Sequence, residues 1–344
     1  MTRPSRHGDA DQRKTIKLML LALSFPLFMA VVLPGCYLYA FHDPQPHDMS
    51  VEIIGADQQT AQLAAGLSVK MSPSFEVTSV ADVDTARQHL ESQSSRGAFD
   101  PSTSTLYVAS AGSPLAEATV KAAFEGVAAQ IASPLTVRDI APLPSEDRLG
   151  VSFLFVGIAA ILAGFITATV LNLAVPGLSL RSELGILTLM AGVAAIVTTF
   201  IAYSVYGALS GQLWAMSGLV AAAVLCAGLI QSGGVKLIGP AMTVVSVTLL
   251  IILGIPASGI AVPIDMTPAL FTHLHSWLPT SAVLDGMRRT LYFGGNGISA
   301  DLPIIGLWMA IGAAMIWLSS LRKPRPAEPS PSATSTITSE ETRA

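Results

Sequence analysis

Charge is scarce in this chain. Lys, Arg, Asp and Glu make up 12% of its 344 residues, against roughly a quarter in soluble domains. A chain so poor in charge cannot present a wholly solvated surface, and no nucleic-acid partner is expected. Cysteine is scarcer still: Cys36 and Cys226 are the only two, and both fall in apolar runs, so there is no disulfide framework. No G-x-x-x-x-G-K-[ST] phosphate loop occurs, which excludes ATP hydrolysis by that route. H-E-x-x-H, G-x-S-G and a pair of intramembrane aspartates are missing as well, leaving no motif for an intramembrane hydrolase. His273 and His275 are two apart and do not share a helical face, so no metal site and no cofactor are expected.

What is present is a set of long apolar runs: Lys17–Phe41, Val151–Val175, Leu184–Leu209, Leu213–Ile230, Leu237–Ile255 and Leu302–Leu321. About 20 apolar residues span a bilayer as a helix with every backbone group bonded internally. None of the runs carries an acid, and Lys lies only at their ends. The pattern predicts a polytopic α-helical membrane protein of six spans, multi-pass in the cell membrane. Residues 151–321 form its five-helix membrane domain.

Short loops set the orientation, because Lys and Arg collect on the cytoplasmic side. Arg3, Arg6, Arg13 and Lys14 precede the first run and Lys17 opens it, Arg181 and Lys236 sit in two short loops, and Arg322, Lys323 and Arg325 follow the last. All fall inside if residues 1–16 are cytoplasmic and each run crosses. Residues 42–149 and 257–301 are then outside and the C-terminus is inside. Arg288 and Arg289 depart from the pattern, in a loop long enough for the rule to weaken. Leu33-Pro34-Gly35-Cys36 resembles a lipoprotein cleavage box, but the apolar run continues to Phe41 and exceeds a signal core of about 7–15 residues. A thiol buried in a membrane helix is the simpler reading of Cys36. The tail, 322–344, is rich in Pro, Ser, Thr and Glu and is expected to be a disordered cytoplasmic spacer.

Residues 42–149 are long enough for one modest core and predict an inserted extracytoplasmic α/β domain. Val51–Gly55, Phe75–Val80, Thr105–Ala109 and Leu135–Ile140 read as strands. Gln58–Val69 carries Ala61, Ala64, Ala65 and Leu67 at helical spacing, and Asp82 is placed to cap a helix through Arg87 and Leu90. Pro114–Ala132 has Leu115, Val120, Phe124, Val127 and Ile131 on one face. Strand–helix alternation favours a largely parallel sheet. Asp57, Asp82, Asp84 and Asp100 are scattered, as exposed acids in turns are.

Between Ala257 and Asp301, Pro263, Pro268 and Pro279 break helices although their neighbours are apolar. Thr267 is placed to cap a short helix that buries Leu270, Phe271, Leu274 and Trp277. Thr280 or Ser281 is placed to cap a second, with Val283, Leu284, Met287 and Leu291 inward and Asp285, Arg288 and Arg289 toward headgroups or water. Two such helices make a re-entrant or interfacial hairpin at 257–301.

Three stretches together resemble the bacterial ABC type-2 exporter permeases, in the YhgE/Pip-like branch with a large outer domain after span one. They are His42-Asp43-Pro44-Gln45-Pro46-His47, then Asp139–Gly150 running into the second span, then the loop holding Pro256-Ala257-Ser258-Gly259, Ser276-Trp277-Leu278-Pro279, Leu284–Arg289 and Leu291–Gly295. Gly55-Ala56-Asp57 stands where relatives tend to have Asn-x-Asp. The resemblance implies a re-entrant outer hairpin before the last span, a separate cytoplasmic ATPase and pairing with itself or a related permease.

The expected function is export of an amphiphilic or lipid-like compound by a permease that is not itself an enzyme. Arg181 and Glu183 are the candidate ATPase-docking loop, unless they are topogenic charges. Trp277, Leu278, Pro279, Arg288 and Arg289 are the candidate outer gate, and Asn172 is a candidate for lining the path. Ionisable residues inside spans mark ion-coupled carriers, and the run interiors hold none. Gly157, Gly164, Gly185, Gly192 and Gly207 suit close helix packing. The alternative is a surface receptor or assembly scaffold anchored by the spans, for which five spans after the outer domain are more than anchoring requires.

Overall fold

The computed structural model describes residues 6–130 and 134–321. Arg3, Ile131, Ala132, Arg322, Lys323, Arg325 and the predicted tail lie outside the described residues. Helix α1 (Arg6–Phe41) leads into an α/β unit of β1 (Met49–Ile54), α2 (Gln58–Met71), β2 (Phe75–Val80), α3 (Val83–Glu91), β3 (Ala98–Asp100), β4 (Thr105–Val108), α4 (Pro114–Gln130) and β5 (Thr136–Asp139). Then come α5 (Ser152–Ala174), α6 (Leu180–Phe200), α7 (Leu213–Ile238), α8 (Ala241–Val247), α9 (Gly254–Ala257), α10 (Ala269–His275), α11 (Pro279–Tyr292) and α12 (Asp301–Leu321).

The five strands lie in the order β2-β1-β3-β4-β5, parallel except between β3 and β4. Period-two alternation divides the core. Met49, Val51 and Ile53 of β1 point to α2 and α4, where Leu67, Val120 and Phe124 are buried. Ile54 points the other way, with Val80, Ala86 and Leu90 against α3. Asp57 and Asp82 cap α2 and α3, accepting from Thr60 N at 2.6 Å and Thr85 N at 2.8 Å. These bonds hold both carboxyls below their ordinary range. Three predicted face positions differ: Ala61 and Ala65 are exposed, and Leu115 is 37% exposed while Ala116 and Ala128 are buried.

Among the described residues, five helical segments are long and apolar enough to cross a membrane: Leu23–Phe41, Ser152–Ala174, Leu180–Val205, Leu213–Ile238 and Ile298–Leu321. The chain is a multi-pass membrane protein. The expected run Leu237–Ile255 is divided. Its first two residues end α7, Gly239 closes that helix at φ +73°, and Pro240 opens a shorter apolar segment, Ala241–Ala257. Proline cannot continue the ladder of the helix before it, so the break is local chemistry that hydropathy does not register.

That shorter segment widens into a π-turn at Thr248–Ile252. Pro256 has no N–H for the Ile252 carbonyl four residues earlier, and α1 and α11 supply donors in this region. Cys36 Sγ reaches Ile252 O at 3.3 Å, Tyr37 donates to Ile251 O at 3.2 Å, and Thr280 Oγ1 to Leu250 O at 2.8 Å. The Cys36 thiol is thus half-buried and occupied in a continuous helix.

Helix α7 is the hub, flanked by α5, α6 and α12. Three approaches to α7 depend on glycine: at one Gly228 meets the Leu187 side chain of α6, and two are backbone contacts. Gly164 meets the Val224 backbone, and Gly233 meets Gly312. Of the other predicted packing glycines, Gly157 faces Leu284, whereas Gly185, Gly192 and Gly207 face open space. They do not serve close packing.

Candidate functional site

The proline-bounded hairpin is present, as α10 and α11, and it packs inside the bundle. Phe271 is fully buried, and Leu278 is buried with Ala40 and Ala257. Pro279 begins α11, where a missing N–H removes nothing. The expected caps do not form. Thr267 Oγ1 donates back to Ile264 O at 2.8 Å, Thr280 turns to Leu250, and neither helix start has a side-chain cap. Trp277 is 69% exposed and Leu270 50% exposed, contrary to the burial expected of them, because α10 has only two turns and offers one buried face. Trp308 Nε1 donates to the Trp277 carbonyl at 2.7 Å, tying the hairpin to α12.

Arg288 and Arg289 do not face water. Arg288 is 5% exposed and Asp285 1%. Asp285 lies between Arg288 and Arg289, one turn along α11, with the Arg289 Nε bond at 2.8 Å. Arg289 also reaches Asp301 at 3.3 Å. Two further donors go to the α/β unit, Arg288 Nη1 to Gly112 O at 2.9 Å and Arg289 Nη1 to Ser92 O at 3.1 Å, while Arg288 Nε has no partner among the described residues. Two cations and two anions in one buried cluster balance each other's charge, so they stay under the α/β unit instead of turning outward. The clamp extends on both sides. Arg96 grips Asp265 with two bonds, at 2.8 and 3.1 Å, and Tyr292 donates to Asp147 at 3.0 Å, beside the first turn of α5. Within the α/β unit, burial pushes Glu52 up against the pull of His89, 2.5 Å away. Burial, then Asp139, pushes Glu117 up too.

A second polar cluster lies at the other end of the bundle, between α5, α6 and α7. Glu183 lies in the first turn of α6 and is 1% exposed. Its two oxygens take Ser232 Oγ and Lys236 Nζ from α7. Asn172 Nδ2 donates to Ser232 Oγ at 3.1 Å and to Ala168 O at 2.8 Å. One turn further in, Gln231 spans Thr169 at 3.0 Å and Thr243 at 3.2 Å, while its Oε1 and the buried Ser246 Oγ have no partner among the described residues. A cavity of about 360 Å³ opens beside this cluster, with Asn172, the Pro176–Leu178 turn, Glu183, Lys236 and Ser319 on its walls.

Three expectations change here. Glu183 is sealed by Lys236 and cannot serve a docking surface, which leaves exposed Arg181 from that pair. The candidate span Leu180–Val205 does contain an acid. The run expected to end at Ile230 continues to Ile238 and takes in a fully buried amide, Gln231. The sequence carried one sign of this cluster, Gln231-Ser232-Gly233-Gly234 closing an apolar run, but nothing in it paired that stretch with Glu183. His273 and His275 direct Nδ1 to the Ala269 and Ala257 carbonyls, at 2.7 and 2.8 Å.

Against known proteins, no family model matches this chain, and no curated protein or solved structure matches it.

Proposed function

We propose that the protein is the permease subunit of an ATP-driven exporter for an amphiphilic, lipid-like compound, of the type-2 kind its sequence resembles. In this reading Ala241–Ala257 completes six crossings, the α/β unit is an inserted extracytoplasmic domain, and both termini are cytoplasmic in the cell membrane. A separate ATPase engages the Arg181 side, and a second copy or a related permease completes the pathway.

The observation carrying this reading is the placement of the hairpin. Helices α5, α7 and α12 each have one end beside α11 and the other beside the polar cavity. Leu219 near the start of α7 faces Gly286, whereas Lys236 near its end lines the cavity. Phe153 at the start of α5 stacks edge-on against Tyr292, and Asn172 near its end lines the cavity. Asp301 and Ser319 divide α12 in the same way. A proline-bounded hairpin at one end of the bundle and a polar chamber at the other support a transport role over a bare anchor.

The test is efflux from cells expressing the protein with a candidate ATPase. Trp277→Ala and Pro279→Ala should impair efflux at unchanged abundance, and Arg181→Ala should weaken coupling to the ATPase. Reporter fusions after Phe41 and Gly295 should read external, and those after Arg181 and Lys236 internal. If all three substitutions behave as wild type while deletion of residues 50–145 abolishes function, the receptor reading replaces transport.

A further inference from the structure

The cavity beside Glu183 has a chemistry that the exporter reading does not by itself specify. Its charged lining is one acid and one base already joined, and Lys236 keeps 25% of its side chain exposed while Glu183 keeps 2%. Asn172 spends its Nδ2 on Ala168 and Ser232, leaving Oδ1 as an acceptor. Leu171, Val175, Leu178 and Val235 supply the apolar part of the wall.

We propose that this pocket binds a zwitterionic headgroup, an anionic group and an ammonium on one amphiphile. The anionic group rests on the exposed Nζ of Lys236, and the ammonium on Asn172 Oδ1 beside the Glu183 carboxylate. The argument is one of neutrality. An ion inside a membrane protein needs a counter-charge, because its desolvation exceeds what polar neighbours return. A purely anionic headgroup on Lys236 would leave two negative charges sharing one positive, and a purely cationic one would compete with Lys236 for Glu183. A ligand that brings both charges leaves the pocket neutral, as it is when empty. The apolar wall holds the first part of the chain that follows the headgroup. This names the substrate class within the exporter reading, and rests on that reading only for what happens after binding.

The test uses the full-length protein, purified in maltoside micelles without any ATPase, titrated with three tail-fluorescent probes: phosphatidylethanolamine, phosphatidylglycerol and a dialkyl-dimethylammonium. The wild type should bind phosphatidylethanolamine at least 10-fold more tightly than either other probe. Glu183→Gln leaves Lys236 unopposed and should move the preference to phosphatidylglycerol, whereas Lys236→Met should move it to the cationic probe. Opposite shifts from two substitutions at one pair cannot come from damage to the fold. Equal binding of the three probes by wild type, or the same ranking in both variants, overturns the proposal. Where either variant elutes as aggregate, Ser319→Trp narrows the pocket without touching the pair and should weaken phosphatidylethanolamine at least 10-fold; unchanged binding there overturns the proposal as well. Binding with the expected preferences in a protein that exports nothing would refute the exporter reading alone. Export with no probe preference would refute the pocket alone.

Discussion

Replacing Gly164 with Ala tests the central crossing of the bundle. A Cβ built there would lie 2.1 Å from Val224 O, 2.8 Å from Val224 C and 3.0 Å from its Cα. All three are backbone atoms of α7, so no side-chain rotation relieves the contact. Carbon–oxygen contacts settle at roughly 3.3–3.6 Å, so α5 and α7 must part by about 1 Å. A gap of that size forfeits about a quarter to a half of the dispersion attraction along the contact. Overpacking of this kind destabilises by about 1–3 kcal/mol, and the rigid backbone puts Gly164 in the upper part. Better helix propensity of Ala offsets about 0.5–1 kcal/mol, leaving a net loss of about 1.5–2 kcal/mol. At roughly 2–4 °C per kcal/mol for domains of about 150–250 residues, thermal unfolding in detergent should fall by about 5 °C. Gly185→Ala and Gly192→Ala provide the control, because nothing lies within 4 Å of either added Cβ. Both should be neutral or slightly stabilising. A Gly164→Ala protein that melts with the wild type, or a Gly185→Ala protein that loses as much, would refute the reasoning.

Phe124→Ala should destabilise the α/β unit by about 3–5 kcal/mol, since the ring is fully buried 5.3 Å from that of Phe99; limited proteolysis of the unit reports it. Arg96→Ala leaves the partly buried Asp265 carboxylate without its two charge-assisted bonds, a loss of about 1.5–3 kcal/mol. A double-mutant cycle with Asp265→Ala, read by protease cleavage at the junction, should show strong coupling. Glu52 titrates above its ordinary value of 4.5 in the folded state because of burial. Its protonated form is therefore favoured by folding, and that contribution is complete below 4.5 and lost as pH rises through the higher folded value. Glu52→Gln should flatten the stability of the α/β unit against pH over this window, as followed by denaturant midpoints.

Much of the α/β unit was legible because its signals are local. Phe75–Val80 alternates over its first four residues and forms a strand with those bounds, and Asp57 and Asp82 cap the helices that follow them. Strand β3 was not legible. Three residues, Ala98–Asp100, carry no period, and the strand exists because β1 and β4 hold it on either side. Span boundaries failed where hydropathy and backbone chemistry diverge. Leu237 and Ile238 are apolar enough to begin a run, yet they end α7 because Pro240 follows. A run delimited by its first charge also hides any buried acid, and for that reason α6 seemed to begin after Glu183 when it begins at Leu180.

The two charged clusters show where local reading stops. Asp285, Arg288 and Arg289 at a spacing of three and four share a helical face in any helix, so their proximity was readable. Their burial was not, since it depends on the Gly112 and Ser92 carbonyls, 176 and 197 positions away in sequence. Glu183 depends likewise on Ser232 and Lys236, 49 and 53 positions on. An acid in a membrane protein is tolerated only where a partner meets it, and the partner's distance in sequence is set by how the helices cross. Glycine sets those crossings. Gly164 and Gly228 bring α5, α6 and α7 together, and the same approach carries Ser232 and Lys236, one and two turns further along α7, to the start of α6. The small residues that look silent in the sequence therefore determine which charges are paired, and through them the chemistry of the cavity.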